Sequence, residues 1–206
     1  MKKIVLSVAA VFAFGFAAQA QDKPVYGFQQ SDVFVEGNLG INTTNDKNTD
    51  VKTSTFNFNP KVGYMLNDKF AVGASFEVGN GTEKIYGKKT ENKTNHFYGG
   101  VFGRYYFLDL GSRFTTYAEV GVGYAQDKMG NDNVVKTKGM NAGLDLGFNY
   151  FVTPKIALAF TLGNVISYNS SKVDLDGAKS QNEFNANINV FNNFFDNAKF
   201  GMIYKF

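Results

Sequence analysis

Residues 140–150, with the sequence MNAGLDLGFNY, decide the fold. Apolar residues stand at every second position of this stretch, and the residues between them are asparagine, glycine and aspartate. Successive side chains of a β-strand point to opposite faces, so this spacing gives one strand an apolar face and a small or polar face. The pattern predicts a strand that separates an apolar environment from a polar one.

The same alternation recurs along the chain. Eight segments carry it, and their apolar series begin at Val33, Phe56, Phe70, Phe97, Phe114, Met140, Ile156 and Phe184. The segment at 96–107 is harder to orient, because large residues occupy both of its faces. We place Arg104 inward, since an arginine that faces hydrocarbon costs a few kcal/mol. The pattern predicts an all-β fold, an eight-stranded antiparallel up-and-down transmembrane β-barrel.

Two places depart from regular alternation. Pro60 lies inside a strand, where it removes a ladder hydrogen bond, and we expect a bulge there. The last segment contains two series, at 184–190 and 200–206, and a bulge or small loop at 192–197 would join them into one returning strand. Counted separately they make nine strands, whereas bacterial single-chain barrels usually have an even number.

The connections alternate in length. Those at 43–53, 80–95, 126–135 and 169–182 are long and polar, and the three between them are short. Outer-membrane barrels have long loops outside and tight turns in the periplasm. This asymmetry therefore predicts that both termini are periplasmic.

The amino-terminal segment is typical of an export signal. Lys2 and Lys3 precede an apolar stretch at 4–18, and Ala18 and Ala20 supply the small-x-small pattern of a cleavage site. A membrane-spanning helix needs about 20 apolar residues, so this stretch is too short for one. We predict a cleaved signal peptide at 1–20 and one barrel domain at 21–206.

Composition excludes several classes of protein. Without Lys2 and Lys3, the 21 basic residues become 19 against 18 acidic ones, so the exported chain is nearly neutral and nucleic acid is not an expected partner. There is no cysteine for a disulfide, a thiolate site or a lipid anchor. No apolar run after the signal approaches helical span length, which leaves a closed barrel as the spanning structure.

Glycine distinguishes a membrane barrel from a soluble one with an apolar interior. The polar face of the strands is rich in glycine, which would weaken a solvent-exposed sheet surface but leaves room in a narrow lumen. These glycines are Gly40, Gly63, Gly73, Gly79, Gly121, Gly123, Gly143, Gly147, Gly163 and Gly201. The pattern favours apolar side chains that point outward into lipid.

The chain resembles the small outer-membrane β-barrel family that includes OmpX-like and OmpA-like transmembrane domains. The resemblance covers residues 31–206 and rests on the ending FGMIYKF at 200–206 and on RYYF at 104–107 before a turn. It implies outer-membrane lipid and the barrel-assembly machinery as partners. It also implies a role in envelope integrity, adhesion, defence evasion or small-solute passage. The implied assembly signal comprises Phe200, Met202, Tyr204 and Phe206.

Charged residues on the inward face form the candidate site. They are Glu36, Lys61, Glu77, Arg104, Glu119, Asp145, Lys199 and Lys205. Eight strands enclose a space only just wide enough for side chains. An unpaired buried charge is costly, so we predict a network of paired charges that plugs the lumen. The alternative hypothesis is an ion path.

The sequence predicts no catalytic, metal-binding or cofactor-binding residue and no cofactor. His96, the only histidine, lies at the outer end of its strand, where a loop histidine is far more common than a catalytic base. The acids of the loops have no calcium-loop spacing; they are Asp127, Asp132, Asp174 and Asp176.

The second long loop is mildly basic. Its lysines are Lys84, Lys88, Lys89 and Lys93, which could contact anionic lipopolysaccharide or simply form a solvated face. Two functions stay open: a structural or adhesive barrel that meets an unknown surface ligand through its loops, and a narrow channel or carrier for small or apolar solutes.

Overall fold

The fold is all-β. A computed structural model describes residues 25–85, 90–130, 134–186 and 198–206, so the signal peptide predicted at 1–20 lies outside the described residues. None of the described residues forms a helix long and apolar enough to cross a membrane. The strands of these ranges are β1 (Val33–Asp46), β2 (Val51–Asn67), β3 (Phe70–Ile85), β4 (Thr90–Leu110), β5 (Phe114–Met129), β6 (Val135–Phe151), β7 (Ile156–Val173), β8 (Gln181–Ala186) and β9 (Ala198–Lys205).

The sheet closes on itself. Strands β1 to β7 each pair antiparallel with the next strand in sequence. Strand β9 pairs with β7 on one side, where Tyr204 lies opposite Ile156, and with β1 on the other, where Lys205 lies opposite Phe34. The result is a closed antiparallel barrel of eight strand positions, which confirms the predicted fold class.

The eighth position is filled by two strands in succession. Strand β8 pairs with residues 166–171 of β7, and β9 pairs with residues 156–162 of the same strand. Both run antiparallel to β7, so the two alternating series of the last segment lie along one barrel position. The bulge predicted at 192–197 to join them lies outside the described residues.

The outside of the barrel is apolar, and its interior contains charged and polar side chains together with buried aromatic rings. On β4, for example, outward-facing Val101 is 59% exposed, whereas inward-facing Arg104 is 0% exposed. Stacked rings reinforce the outer surface, with centroids 4.9 Å apart for Phe114 and Phe148 and 4.7 Å apart for Phe148 and Phe160. A lipid-facing band over a polar lumen explains the period-two pattern.

The long polar loops predicted from the sequence are largely strand. Strand β1 continues to Asp46 and β2 begins at Val51, and β4 has 21 residues where a membrane crossing needs about 9–11. Polar strands can extend beyond the membrane because their backbone groups still form hydrogen bonds with the neighbouring strands. Both faces of the sheet meet water there. We call this end of the barrel the polar end, and the end with the β2–β3, β4–β5 and β6–β7 connections the turn end.

Pro60 causes no bulge, so that prediction was wrong. The β2–β3 register is the same on both sides of it, with Phe58 opposite Val78 and Lys61 opposite Ser75. Proline has no N–H to donate, but the side-chain amide of Asn59 donates to the Phe76 carbonyl. This side-chain hydrogen bond takes the place of the missing backbone bond, and the strand continues past Pro60 without a change of register. The register shifts instead between Met65 and Asn67, at the turn end.

Candidate functional site

Arg104 is the centre of the lumen. The alternation of β4 points it inward, and its Nη2 lies 2.8 Å from Glu36 Oε2 on β1 and 2.6 Å from Glu119 Oε2 on β5. Its Nε also donates to Glu119 Oε2 at 2.7 Å. Glu119 lies directly opposite Arg104 in the β4–β5 ladder, so the closed register itself positions this pair.

Lys61 completes the group. Its Nζ forms an ion pair with Glu119 Oε1, and both side chains are buried. Glu36 also accepts a hydrogen bond of 2.7 Å from the Asn38 amide. We name Glu36, Lys61, Arg104 and Glu119 the lumen cluster. Its two cations and two carboxylates balance, which is what a desolvated site requires.

Aromatic rings enclose the cluster. The Arg104 guanidinium carbon lies 4.1 Å from the centre of the Tyr117 ring and 5.5 Å from that of Phe34, and Nη1 donates to the Tyr106 hydroxyl at 3.3 Å. Such cation–π contacts strengthen as water is excluded. Glycine makes room for these rings, because a Cβ on Gly147 would collide with the Tyr117 ring.

The segment before β1 covers the turn end of the lumen. Phe28 is buried, with its ring centroid 5.2 Å from that of Phe34, 4.9 Å from Tyr106 and 5.2 Å from Phe151. Lys205 holds the segment in place by donating to the Gly27 carbonyl at 2.9 Å. We call the stretch 25–32 the cap.

Beyond the cluster, toward the polar end, the lumen widens. A cavity of about 270 Å³ begins at Lys61 and Glu119 and extends to His96, which it shares with a second cavity between the strand ends. An ion pair of 3.0 Å between Lys199 Nζ and Glu77 Oε2 lies on its wall. The remaining polar groups of this upper cavity include Asn59, Ser75, Tyr98, Asn141, Asp145, Ser167 and Asn169.

The inward charges predicted from the sequence therefore fall into four groups. Four form the lumen cluster; Glu77 and Lys199 form a separate pair; and Asp145, which lies opposite Glu119 in the β5–β6 ladder, lines the upper cavity. Lys205 of β9 contacts the cap, where its Nζ also lies 3.0 Å from Asp32. Three residues of the implied assembly signal, Phe200, Met202 and Tyr204, lie on the outward face of β9, and the exposed Phe206 directly follows that strand.

His96 is paired with an acid. Its Nδ1 lies 2.7 Å from Asp127 Oδ1, directly across the β4–β5 ladder. In the described ranges no serine or threonine hydroxyl is hydrogen-bonded to this ring, and no group of three or more metal-ligating side chains occurs. Asp132 lies outside those ranges.

The alternating pattern did not predict the aromatic part of the site. Tyr106 and Tyr117 were visible as large residues on the polar face, and that conflict with the pattern is the signal that marks them. Phe28 carried no signal, because it precedes the first alternating segment and is placed by contacts with three distant residues.

A closed barrel with an apolar exterior and balanced charges inside defines a transmembrane β-barrel protein. The model of the family described as "Outer membrane protein beta-barrel domain" matches residues 6–205, and the chain belongs to that family.

Solved structures are similar over most of their length. OprG from Pseudomonas aeruginosa has 14% sequence identity and a TM-score of 0.51, with 87% of this chain and 98% of that chain covered. OmpW from E. coli has 14% identity and a TM-score of 0.48, covering 86% and 99%. A major outer membrane protein from Thermus thermophilus has 16% identity and a TM-score of 0.48, covering 86% and 100%. At these identities the likeness concerns the fold alone. No curated protein matches the chain.

Proposed function

We propose that this protein is an integral outer-membrane barrel whose lumen is closed at the turn end. It acts through its surfaces, in envelope structure or in contact with a ligand outside the cell. The turn end and both termini face the periplasm, and the polar end faces outward, as is typical of such barrels. Outward Phe200, Met202, Tyr204 and Phe206 are the signal for the barrel-assembly machinery, and the outer apolar band then contacts membrane lipid.

The lumen cluster carries this proposal. An eight-stranded barrel has an interior only just wide enough for side chains. A passing ion would have to separate Arg104 from Glu36 and Glu119, at 2.8 and 2.6 Å, inside an aromatic wall. Breaking a buried ion pair costs about 3–5 kcal/mol, so the closed state persists.

Planar-bilayer recording tests the closure. We expect refolded wild-type protein to give no steady conductance. A double variant, Arg104→Ser with Phe28→Ala, removes the centre of the cluster and the ring of the cap, and it should conduct. Lys199→Ser is the matched control, because that lysine lies on the wall of the upper cavity, and it should stay closed. A steady open current through the wild type would contradict the proposal.

The upper cavity supports a second candidate, a carrier or narrow channel for small solutes. Its wall is formed by amide, hydroxyl and charged groups, which favours polar over apolar solutes. Liposome-swelling assays with small polar solutes test this function. Asn141→Phe should fill the cavity. If the wild-type protein supports swelling and this variant does not, small solutes pass through the barrel and its lumen is not closed.

A further inference from the structure

Three neighbouring strands carry a group of lysines on the outside of the barrel at its polar end. These lysines continue the outward-facing series of their strands, since each is an even number of residues from an exposed apolar residue such as Met140 on β6 or Tyr168 on β7. We name them the outer lysine patch: Lys128 on β5, Lys136 and Lys138 on β6, and Lys172 on β7.

The register of the barrel places these charges against each other. Lys128 lies directly opposite Lys136, and Lys138 lies directly opposite Lys172. Like charges at directly opposed positions destabilise a sheet. Asp174 offsets only part of this charge, through a 2.8 Å ion pair with Lys138. Within the described part of the chain, Lys128, Lys136 and Lys172 have no ion pair.

The patch lies at the height of lipid headgroups. Lys138 is two residues beyond Met140, and Lys172 is four residues beyond Tyr168. With a rise of about 3.4 Å per residue and a strand tilt of about 40°, these positions lie about 5 and 10 Å above the apolar band. The headgroup layer occupies about 5–7 Å on each side of the hydrocarbon, and lysine side chains reach several Å further.

The surface beside the patch has room for a bulky group. A cavity of about 290 Å³ is lined by Lys138, Lys172 and the start of the β7–β8 connection, including Asp174 and Asp176. A headgroup bound there would meet two lysines at once. Asp174, which lies 2.8 Å from Lys138, and Asp176 would favour a group that carries its own donors, such as sugar hydroxyls, beside the anion.

The equivalent surface of β3 and β4 is different. Its lysines, Lys84 and Lys93, both lie near Glu91, at 3.6 and 4.0 Å. Lys88 and Lys89 of the basic loop predicted from the sequence lie outside the described residues. Glu91 offsets one of these two charges, and Lys84 also lies directly opposite Lys52 of β2. Lys84 and Lys93 share one acid, whereas the four lysines of the patch have one ion pair among them within the described residues, so this surface is a control with less uncompensated charge.

We propose that the outer lysine patch binds the phosphate groups of lipid headgroups in the leaflet at the polar end. The proposal rests on the membrane position given under the proposed function, and it is independent of whether the lumen is closed. An anion between the opposed lysines removes their repulsion, and each lysine near an anionic surface contributes roughly 1 kcal/mol, about fivefold in affinity.

Native mass spectrometry in a neutral detergent tests the site. The folded protein is titrated with short-chain phosphatidic acid, with phosphatidylcholine and with inorganic phosphate. We expect the variant Lys128→Gln, Lys136→Gln, Lys138→Gln and Lys172→Gln to bind phosphatidic acid at least about tenfold more weakly than the wild type. The control pair Lys84→Gln and Lys93→Gln should change this affinity less than about twofold.

Three results would overturn the proposal: unchanged phosphatidic acid binding by the patch variant, an equal loss in the control pair, or displacement of phosphatidic acid by equimolar inorganic phosphate or by phosphatidylcholine. If the fourfold variant does not fold, as judged by gel mobility before and after heating, Lys128→Gln with Lys172→Gln applies the same test. A conducting wild-type barrel would refute closure of the lumen and leave this measurement unaffected.

Discussion

Each half of the lumen contains an ion pair, but the two pairs lie in different environments. Near the turn end, Arg104 and Glu36 are both 0% exposed and lie 2.8 Å apart. Toward the polar end, Lys199 and Glu77 lie 3.0 Å apart, but their side chains are 39% and 17% exposed. Both pairs come from the same alternation of charged and apolar positions, so that pattern alone does not determine burial.

The difference arises from the residues between the charges. In the turn-end half, large rings stand beside glycines, so that Tyr117 fills the space that Gly147 leaves and Phe34 fills the space at Gly63. The cap adds Phe28 to that packing. In the polar-end half, amides and hydroxyls border a cavity of about 270 Å³. Aromatic packing, more than charge, therefore shields the Arg104–Glu36 pair from water and leaves the Lys199–Glu77 pair accessible to it.

Removing one cation from each half tests this comparison most strongly. Arg104→Met leaves Glu36 buried without its cation, and we expect it to lower the free energy of unfolding by about 3–5 kcal/mol. Lys199→Met should cost less than about 1 kcal/mol, because water reaches that pair. Urea unfolding in lipid vesicles, followed by gel mobility, measures both. Equal losses would show that the halves do not differ in this way.

Two glycines on the inner face of β6 separate packing from charge. Gly147→Ala would place a methyl group against the Tyr117 ring, and overpacking of this kind costs about 1–3 kcal/mol. Gly143→Ala, on the same face but nearer the polar end, meets only the Ile166 carbonyl at 3.5 Å and should cost less than about 0.5 kcal/mol. The same unfolding assay distinguishes them. A comparable cost at Gly143 would mean that the polar-end half is packed as tightly as the other.

The smallest effect lies outside the lumen, in the solvent-exposed ion pair of Lys138 and Asp174. The hydrogen bond from Lys138, and then its charge, lower the pKa of Asp174 from its ordinary value of 3.8, and Lys136 and Lys172 add to this. A carboxyl with a lowered pKa stabilises the fold above its unfolded pKa, and this contribution is lost as the pH falls through the lower, folded value. Carboxyl NMR titration should show the lowered pKa in the wild type and a return toward 3.8 in Lys138→Gln. If the pKa of Asp174 were the same in the variant as in the wild type, the Lys138–Asp174 ion pair would not form in solution.

The architecture was predictable because period-two alternation is a local property of each strand. It predicted one returning course for the last segment, whereas Arg104 was assigned to the interior by the cost of an arginine in hydrocarbon. The bulge expected at Pro60 was wrong because a neighbouring asparagine side chain supplies the missing hydrogen bond. The extent of strand at the polar end was missed because polar residues outside a membrane need no alternation.

The site was only partly predictable. Which inward charges share a cluster depends on barrel register, and single-strand patterns do not contain that information. The separation of Lys199 and Glu77 from Arg104 is one example. The position of Phe28 depends on contacts with β1, β4 and β6 that exist only once the barrel has closed.

Thiol labelling of single-cysteine variants tests directly whether the turn-end half of the lumen excludes water, since the natural sequence contains no cysteine. Asn141→Cys places a thiol in the upper cavity, and Thr115→Cys places one in the buried turn-end half. With a charged, membrane-impermeant reagent, we predict rapid labelling of Asn141→Cys from the outside and no labelling of Thr115→Cys from either side of the membrane. Labelling of both thiols at similar rates would contradict closure of the lumen at the turn end, because it would mean that water fills the whole lumen.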